Sequence, residues 1–191
     1  TFDTTPTALP TAQASIYWDS GESGLGVILN SNVDLKLGQE NVVYVTNQSG
    51  STISKGSVVY INGSSGQRPT IALSDADAES TSSKTLGVLE QDLAINAFGY
   101  VATDGNIDGV YTPGANSGDP VWLSPTVPGG LVYGVANKPL APYHMVYMGV
   151  VKRASTGAAQ NGALLVHVQN GFELGELHNV VANGNQNRDI L

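Results

Sequence analysis

Cysteine is absent from the 191-residue chain, and positive charge is scarce. Without cysteine, both a disulfide framework and a zinc site with cysteine ligands are excluded. Eight Lys and Arg residues stand against 16 Asp and Glu residues, which gives a formal net charge of −8. The basic residues are scattered, and only Lys152 and Arg153 are adjacent. Because phosphate backbones and anionic membrane surfaces bind clustered positive charge, neither nucleic acid nor such a membrane surface is an expected partner.

Long apolar runs are also missing, and charged residues of both signs make up only 13% of the chain. No run of 18 apolar residues occurs, so we expect no membrane insertion. A disordered chain would be charged and poor in Val, Ile and Tyr, whereas here these residues occur throughout. The length predicts one domain, or one domain with an appendage, with a core large enough to need no metal or disulfide.

What the chain does contain is a series of short apolar segments separated by Gly, Asn and Ser, which predicts an all-β protein. Residues 1–14 include Pro6 and Pro10 and predict an extended linker or arm. The segments 15–19 and 26–30 flank a Gly-Ser turn and predict a β-hairpin unit over 15–40. Eight further β segments follow and predict a main β domain over 41–171. Within this domain, only residues 75–84 could form a helix, and that helix would be a short, solvated turn. Residues 172–191 would connect to a following segment.

Two of the predicted strands differ in how their apolar residues alternate. In 162–169, Leu164, Val166 and Val168 share one face and His167 and Gln169 the other, as in a sheet with one wet face. The strand 143–151 is apolar on both faces, with Tyr143, Met145, Tyr147 and Val151 on one side and Val146, Met148 and Val150 on the other. We expect this strand to be covered on both sides, by another sheet or by a neighbouring chain.

Glycines and their apolar flanks recur in the same order in two parts of the chain. Gly56 and Gly118, and Gly87 and Gly149, are both separated by 62 positions. Two further pairs, Gly105 with Gly171 and Gly109 with Gly175, are separated by 66 positions. Glycine-rich β sequences can align by chance, but four matched pairs favour a duplication with repeat units over 55–105 and 117–171. The predicted fold is therefore an antiparallel sandwich or barrel-like domain with an internal duplication.

The sharpest metal candidate is the segment DGNIDG, in which Asp104, Asn106 and Asp108 precede Gly109. It matches the first half of a calcium-binding loop, but position 12 would be Ala115 in place of the bidentate Glu. The alternative is a tight turn, since Asp-Gly is a hairpin signal. A second acidic group lacks a turn glycine and is interpreted as a solvated loop: Asp75, Asp77 and Glu79. We therefore predict no metal site and no cofactor.

Catalytic motifs are incomplete throughout. The two partial G-x-S-x-G segments end in Leu25 and Gln67 instead of glycine. None of the three histidines has a second histidine at ligand spacing: His144, His167 and His178. The carboxylate pairs Glu90/Asp92 and Glu173/Glu176 are interpreted as solvated turn charges. Asn47 and Asn62 begin glycosylation sequons, which matter only in a eukaryotic secretory pathway. The residues predict no catalytic site and a protein that is not an enzyme.

Several segments resemble bacteriophage tail fibres and related virion proteins in their order and spacing. They are IYWDS at 16–20 with the hairpin at 26–40, the block at 43–105, and the segments 118–124, 144–154 and 164–180. The segment GVLEQDLAINAFGYVATDG also resembles small β domains of phage head-decoration proteins. The resemblance implies a structural protein of the virion, exposed on the particle exterior. It also implies a homotrimer that contacts other virion proteins, with no catalytic residues to carry over.

Three functions follow from this reading. The first is a trimeric tail-fibre segment that presents a host-adhesion region, with a host cell-surface polysaccharide or protein as a candidate partner. The second is a head-decoration protein that stabilises the capsid. The third is a polysaccharide-degrading tailspike, which usually needs a long β-helix with regular rungs, and the chain has no such period. We expect the trimer contact in 143–151, which contains Met145 and Met148, or in 172–191, which contains Val180, Ile190 and Leu191. No receptor-binding residue is assigned.

Overall fold

The computed structural model describes residues 3–5 and 8–171, and within them the protein is almost entirely β. A three-stranded sheet contains β1 (Ile16–Asp19), β2 (Gly24–Ile28) and β3 (Asp34–Lys36). A nine-stranded sheet contains β4 (Asn41–Asn47), β5 (Val58–Ser65), β6 (Arg68–Leu73), β7 (Thr85–Leu89), β8 (Phe98–Val110), β9 (Pro120–Leu123), β10 (Leu131–Tyr133), β11 (Val146–Arg153) and β12 (Gly162–Asn170). One helical turn, α1 (Glu79–Ser82), lies within the predicted 75–84 segment. The expectation that only this segment could be helical was wrong, because Val135–Asn137 forms a 3₁₀ turn after β10.

The small sheet is the predicted hairpin, extended by a third strand. β1 and β2 pair antiparallel with Ile16 opposite Val27, and β3 pairs with the other edge of β2. Its interior is formed by the Tyr17 ring, which lies directly against Gly26, where a Cβ atom would overlap the ring. Residues 8–14 form no strand, although Ala14 donates a backbone hydrogen bond to Ile28 at 2.8 Å.

Five strands of the large sheet close into a barrel in the order β4-β6-β5-β7-β8, with β8 returning to β4. The β4–β6 pairing is parallel, with Thr46 opposite Thr70, and it completes the barrel. Inward-facing residues from all five strands fill it, together with two residues from the connecting loops. The buried members are Val45, Ile53, Val59, Ile71, Leu89, Leu93 and Val101. The prediction of an all-β, barrel-like domain is confirmed.

The long strand β8 continues beyond the barrel and starts a second layer. Its second half pairs with β12, and the sheet continues through β11 and β9 to β10. A second apolar core forms between this layer and the barrel, and it includes Val58, Val88, Ala102, Ile107, Leu123, Met148 and Leu164. Because β8 contributes to both cores, it ties the two halves into one structure.

Strand order and register are alike in the two halves. The barrel order β6-β5-β7-β8-β4 corresponds to β10-β9-β11-β12-β8. Val59 lies opposite Gly87, and Val121 lies opposite Gly149, so this pair is reproduced 62 positions later. Only the first half closes into a barrel, because its strand β6 pairs with β4. The corresponding strand of the second half, β10, pairs with β9 and lies at the edge of the sheet. These registers support the duplication, which remains a prediction until the halves are superposed.

The predicted face assignment of the strand 143–151 was wrong at one point. Strand β11 begins at Val146, and its register with both neighbouring strands shifts between Tyr147 and Gly149. A bulge of this kind adds a residue and reverses the alternation beyond it. Val151 is therefore buried together with Val146 and Met148, while Val150 points to the other face beside Tyr147.

Candidate interaction surfaces

The calcium-loop candidate does not form a turn. Asp104, Asn106 and Asp108 all lie in strand β8, so the calcium-loop and tight-turn interpretations were both wrong. Gly105 has φ +103°, and a Cβ atom there would overlap the Gln39 carbonyl, so glycine lets the strand pass close to the hairpin unit without turning.

The polar side chains of this segment are bonded to neighbouring side chains. Asp104 lies 2.8 Å from His167 Nδ1, and Asp108 accepts from Arg153 at 3.2 Å. Asn106 Nδ2 donates to Asp108. Among residues 3–5 and 8–171, no three His, Asp or Glu side chains are arranged to hold a metal ion.

The other candidate residues are dispersed. His144 Nδ1 lies 2.8 Å from Glu79 Oε2, at the helical turn. Asp92 accepts the backbone N–H of Lys55 at 2.8 Å. Asn47 is fully buried and donates to the carbonyl of Leu93, so its side chain has a structural role. His178, Glu173 and Glu176 lie outside the described residues, as do Gly175, Val180, Ile190 and Leu191.

Glu90 departs most from its predicted role as a solvated turn charge. It lies at the end of β7, where its backbone N–H donates to the Tyr100 carbonyl at 3.0 Å. Desolvation by burial raises the pKa of the Glu90 carboxyl to about 7, and the Lys55 ammonium only partly opposes this. The negative charges of Glu40 and Asp108 raise the pKa further. The side chain is therefore largely removed from solvent, in a predominantly acidic surrounding.

A second buried charge lies in the hairpin unit. Lys36 is 9% exposed, and its ammonium donates to Asp34 and to Tyr17 Oη and lies 3.4 Å from Asp19. Burial alone would lower the pKa of Lys36, but the hydrogen bonds to Asp34 and Tyr17 outweigh it and hold the pKa above its ordinary value. Asn30 donates to Gln91 Oε1 at 2.7 Å, which links this unit to the barrel.

One candidate interaction surface is the face of β9, β11 and β12 that points away from the core. We call it the outer sheet face and define it by Trp122, Tyr147, Val150 and Leu165. The rings of Trp122 and Tyr147 pack edge to face with centroids 5.4 Å apart. Leu165 is 50% exposed, and the other three are partly exposed. No described residue covers this apolar face completely.

A groove of about 380 Å³ borders the outer sheet face next to the hairpin unit. It is lined by Val150 and Leu165 and by Glu22, Gln39, Asn106 and Lys152. Lys152 and Glu22 form an ion pair at 3.2 Å across it, which neutralises the charge at the rim. The hairpin unit therefore borders the apolar face without closing over it.

A second candidate surface lies on the closed barrel, where strands β4 and β8 pair. We call it the aromatic stack and define it by Tyr44, Phe98, Tyr100 and Arg68. The Tyr44 ring lies 5.9 Å from Phe98 and 4.8 Å from Tyr100, and the Arg68 guanidinium lies 4.5 Å from the Tyr44 centroid. The sequence analysis missed this surface. The available signal was the set of aromatic residues at positions that alternate with Val45, Gly99 and Val101 in two predicted strands.

Comparison with models of known protein families finds no match, and a search of curated proteins finds none either. Within the part of the chain that the structure describes, no helix has the length and apolar character needed to cross a membrane.

Proposed function

We propose that this chain is a structural segment of a bacteriophage virion and forms part of a homotrimeric tail fibre. In this role it is not an enzyme. It connects to other virion proteins on the particle exterior and presents a region that contacts a polysaccharide or protein on the host surface. The order of the motifs at 16–20, 43–105, 144–154 and 164–180 supports this proposal.

The observation that argues most for a multi-chain assembly is the outer sheet face. Exposed apolar area that is contiguous and flanked by polar residues is typical of protein interfaces. Here Trp122 and Tyr147 supply aromatic area, and aromatic residues are enriched where interfaces bury most surface. This face contains part of the strand in which the sequence analysis expected the trimer contact.

Charge also constrains how copies can meet. Three chains would have a formal charge of −24, three times the −8 of one chain. Like charges repel over about 8 Å at physiological salt, so the contact must be poor in unpaired acidic groups. The outer sheet face meets this requirement, because Glu22 at its rim is paired with Lys152. In the adjacent strand β8, Asp108 is paired with Arg153, and Asp104 lies 2.8 Å from His167.

Sedimentation of two matched variants tests the contact. Leu165→Glu places a charge on the outer sheet face and should convert the trimer to monomer. Ile95→Glu is the control, because Ile95 is 49% exposed, nearly the same as Leu165, but lies in the loop between β7 and β8. A trimer that survives Leu165→Glu, or one that is lost equally in both variants, would contradict the assignment of the contact.

Electron microscopy tests the role in the virion. Antibodies raised against the purified chain should label the fibres of phage particles that contain it. Labelling of the capsid surface instead would contradict the fibre role and favour the head-decoration role. Absence of label from intact particles would refute a virion location.

A further inference from the structure

The aromatic stack is exposed in a way that barrel packing does not require. Phe98 is 52% exposed, and Tyr44 and Tyr100 are each partly exposed on the same side of the β4–β8 pair. Their backbones are in register, with Tyr44 opposite Tyr100 and Thr46 opposite Phe98. Ring contacts between neighbouring strands hold the three side chains in one ordered platform.

Arg68 gives this platform a free cation. Its guanidinium packs on the Tyr44 ring, and among the described residues no carboxylate lies within 4 Å of it. Of the seven described Lys and Arg residues, three form ion pairs, and Arg68 is one of the four that do not. A planar guanidinium held by stacking presents a fork of N–H donors that matches a carboxylate.

The size of the exposed area indicates what kind of partner fits. An aromatic side chain buries about 150–250 Å² when it is fully covered, so three partly covered rings leave on the order of 200–300 Å² open. A stable protein interface needs about 800 Å² from each partner. The platform is therefore too small for a protein partner on its own, but it matches the footprint of two or three sugar rings, whose C–H faces pack on aromatic rings.

We propose that the aromatic stack binds a carboxylated polysaccharide, with sugar rings on Phe98 and Tyr100 and a sugar carboxylate on Arg68. The overall charge of −8 does not prevent this, because charges more than about 8 Å away are largely screened at physiological salt. Only the origin of the polysaccharide, the host surface, rests on the proposed function.

Calorimetric titration of the full chain with two sugar probes tests the proposal. The acidic probe is a galacturonic acid hexamer, and the neutral control is maltohexaose. We expect saturable millimolar or tighter binding of the uronate, at least fivefold tighter than that of the neutral sugar. Absence of uronate binding at millimolar concentration, or equal binding of the two sugars, would overturn the proposal.

Matched variants assign the binding to the platform. Phe98→Ala should weaken uronate binding at least tenfold, whereas Val127→Ala, at a residue 58% exposed in the β9–β10 loop, should not change it. Arg68→Gln should remove the preference for the acidic sugar, whereas Arg153→Gln removes the same charge elsewhere and should keep it. Unchanged binding in Phe98→Ala, or an unchanged preference in Arg68→Gln, would refute the site. Because the titration uses the chain alone, a failure of sugar binding is distinct from a failure of trimer formation.

Discussion

Replacement of Glu90 by glutamine should stabilise the protein at neutral and alkaline pH. The Glu90 carboxyl has its pKa raised from 4.5 to about 7, chiefly because burial disfavours the charged form. A pKa difference of this size corresponds to about 3 kcal/mol between the two protonation states. Glutamine has nearly the same shape as the protonated acid and never ionises, so Glu90→Gln removes the cost of burying a carboxylate.

The sign of the effect follows from proton binding. The native state binds the Glu90 proton more tightly than the unfolded chain, so the wild-type protein loses stability as the pH rises from 4.5 to about 7. Below this window the variant and the wild type should be about equally stable. Above it the variant should be more stable by up to about 3 kcal/mol, which for a chain of this length is a rise in Tm of about 6–12 °C.

Urea unfolding of both proteins across this pH range measures the difference directly. Other carboxyls also titrate, so the informative quantity is the difference in unfolding free energy between the variant and the wild type. Asp77→Asn is the matched control, because Asp77 is exposed, and its difference from the wild type should not change with pH. If the Glu90→Gln difference is also constant with pH, the assignment of Glu90 as a buried, proton-binding carboxyl is refuted.

Three further changes have defined outcomes. Gly149→Ala should destabilise the protein by more than about 3 kcal/mol in thermal unfolding, because its Cβ atom would overlap a carbonyl of the neighbouring strand. Gly66→Ala is the control, because Gly66 also has a positive φ but has open space around it, and this variant should lose only about 1 kcal/mol of stability. Equal losses of stability in the two variants would contradict the overlap at Gly149. Lys36→Met should destabilise by about 1–3 kcal/mol, because it leaves partly buried acidic groups without a cation, and a neutral result in urea unfolding would count against this. Calcium or a chelator should leave the Tm unchanged, because Asp104 and Asp108 are already paired, and a chelator-dependent fall in Tm would restore the calcium interpretation.

Local sequence patterns predicted those features of the fold that depend on local alternation. Leu164 and Val166 are buried and His167 is exposed in β12, as the period of two required. The hairpin at 15–40 formed because two apolar segments flank a short polar turn. The helical turn α1 also lies in the predicted segment 75–84, in which Thr81 is the only β-branched or aromatic residue.

Features that depend on distant contacts were not predictable from the same patterns. The parallel β4–β6 pair joins segments more than 20 residues apart, and no residue pattern in either segment specifies that partner. The bulge near Gly149 reversed the faces of Val150 and Val151, because its position depends on both neighbouring strands. The raised pKa of Glu90 likewise depends on tertiary structure, because it combines burial with the charges of Lys55 and Glu40, which are far away in sequence. The aromatic stack needed the β4–β8 register before its rings could be placed together.

The mass of the native chain in solution tests the central claim, self-association into a trimer, most directly. Light scattering on the purified 191-residue chain at micromolar concentration should give about 59 kDa, three times the 19.8 kDa of one chain. That result would support an assembly in which the outer sheet face is covered by sister chains. A mass of 19.8 kDa over the same concentration range would contradict the fibre proposal.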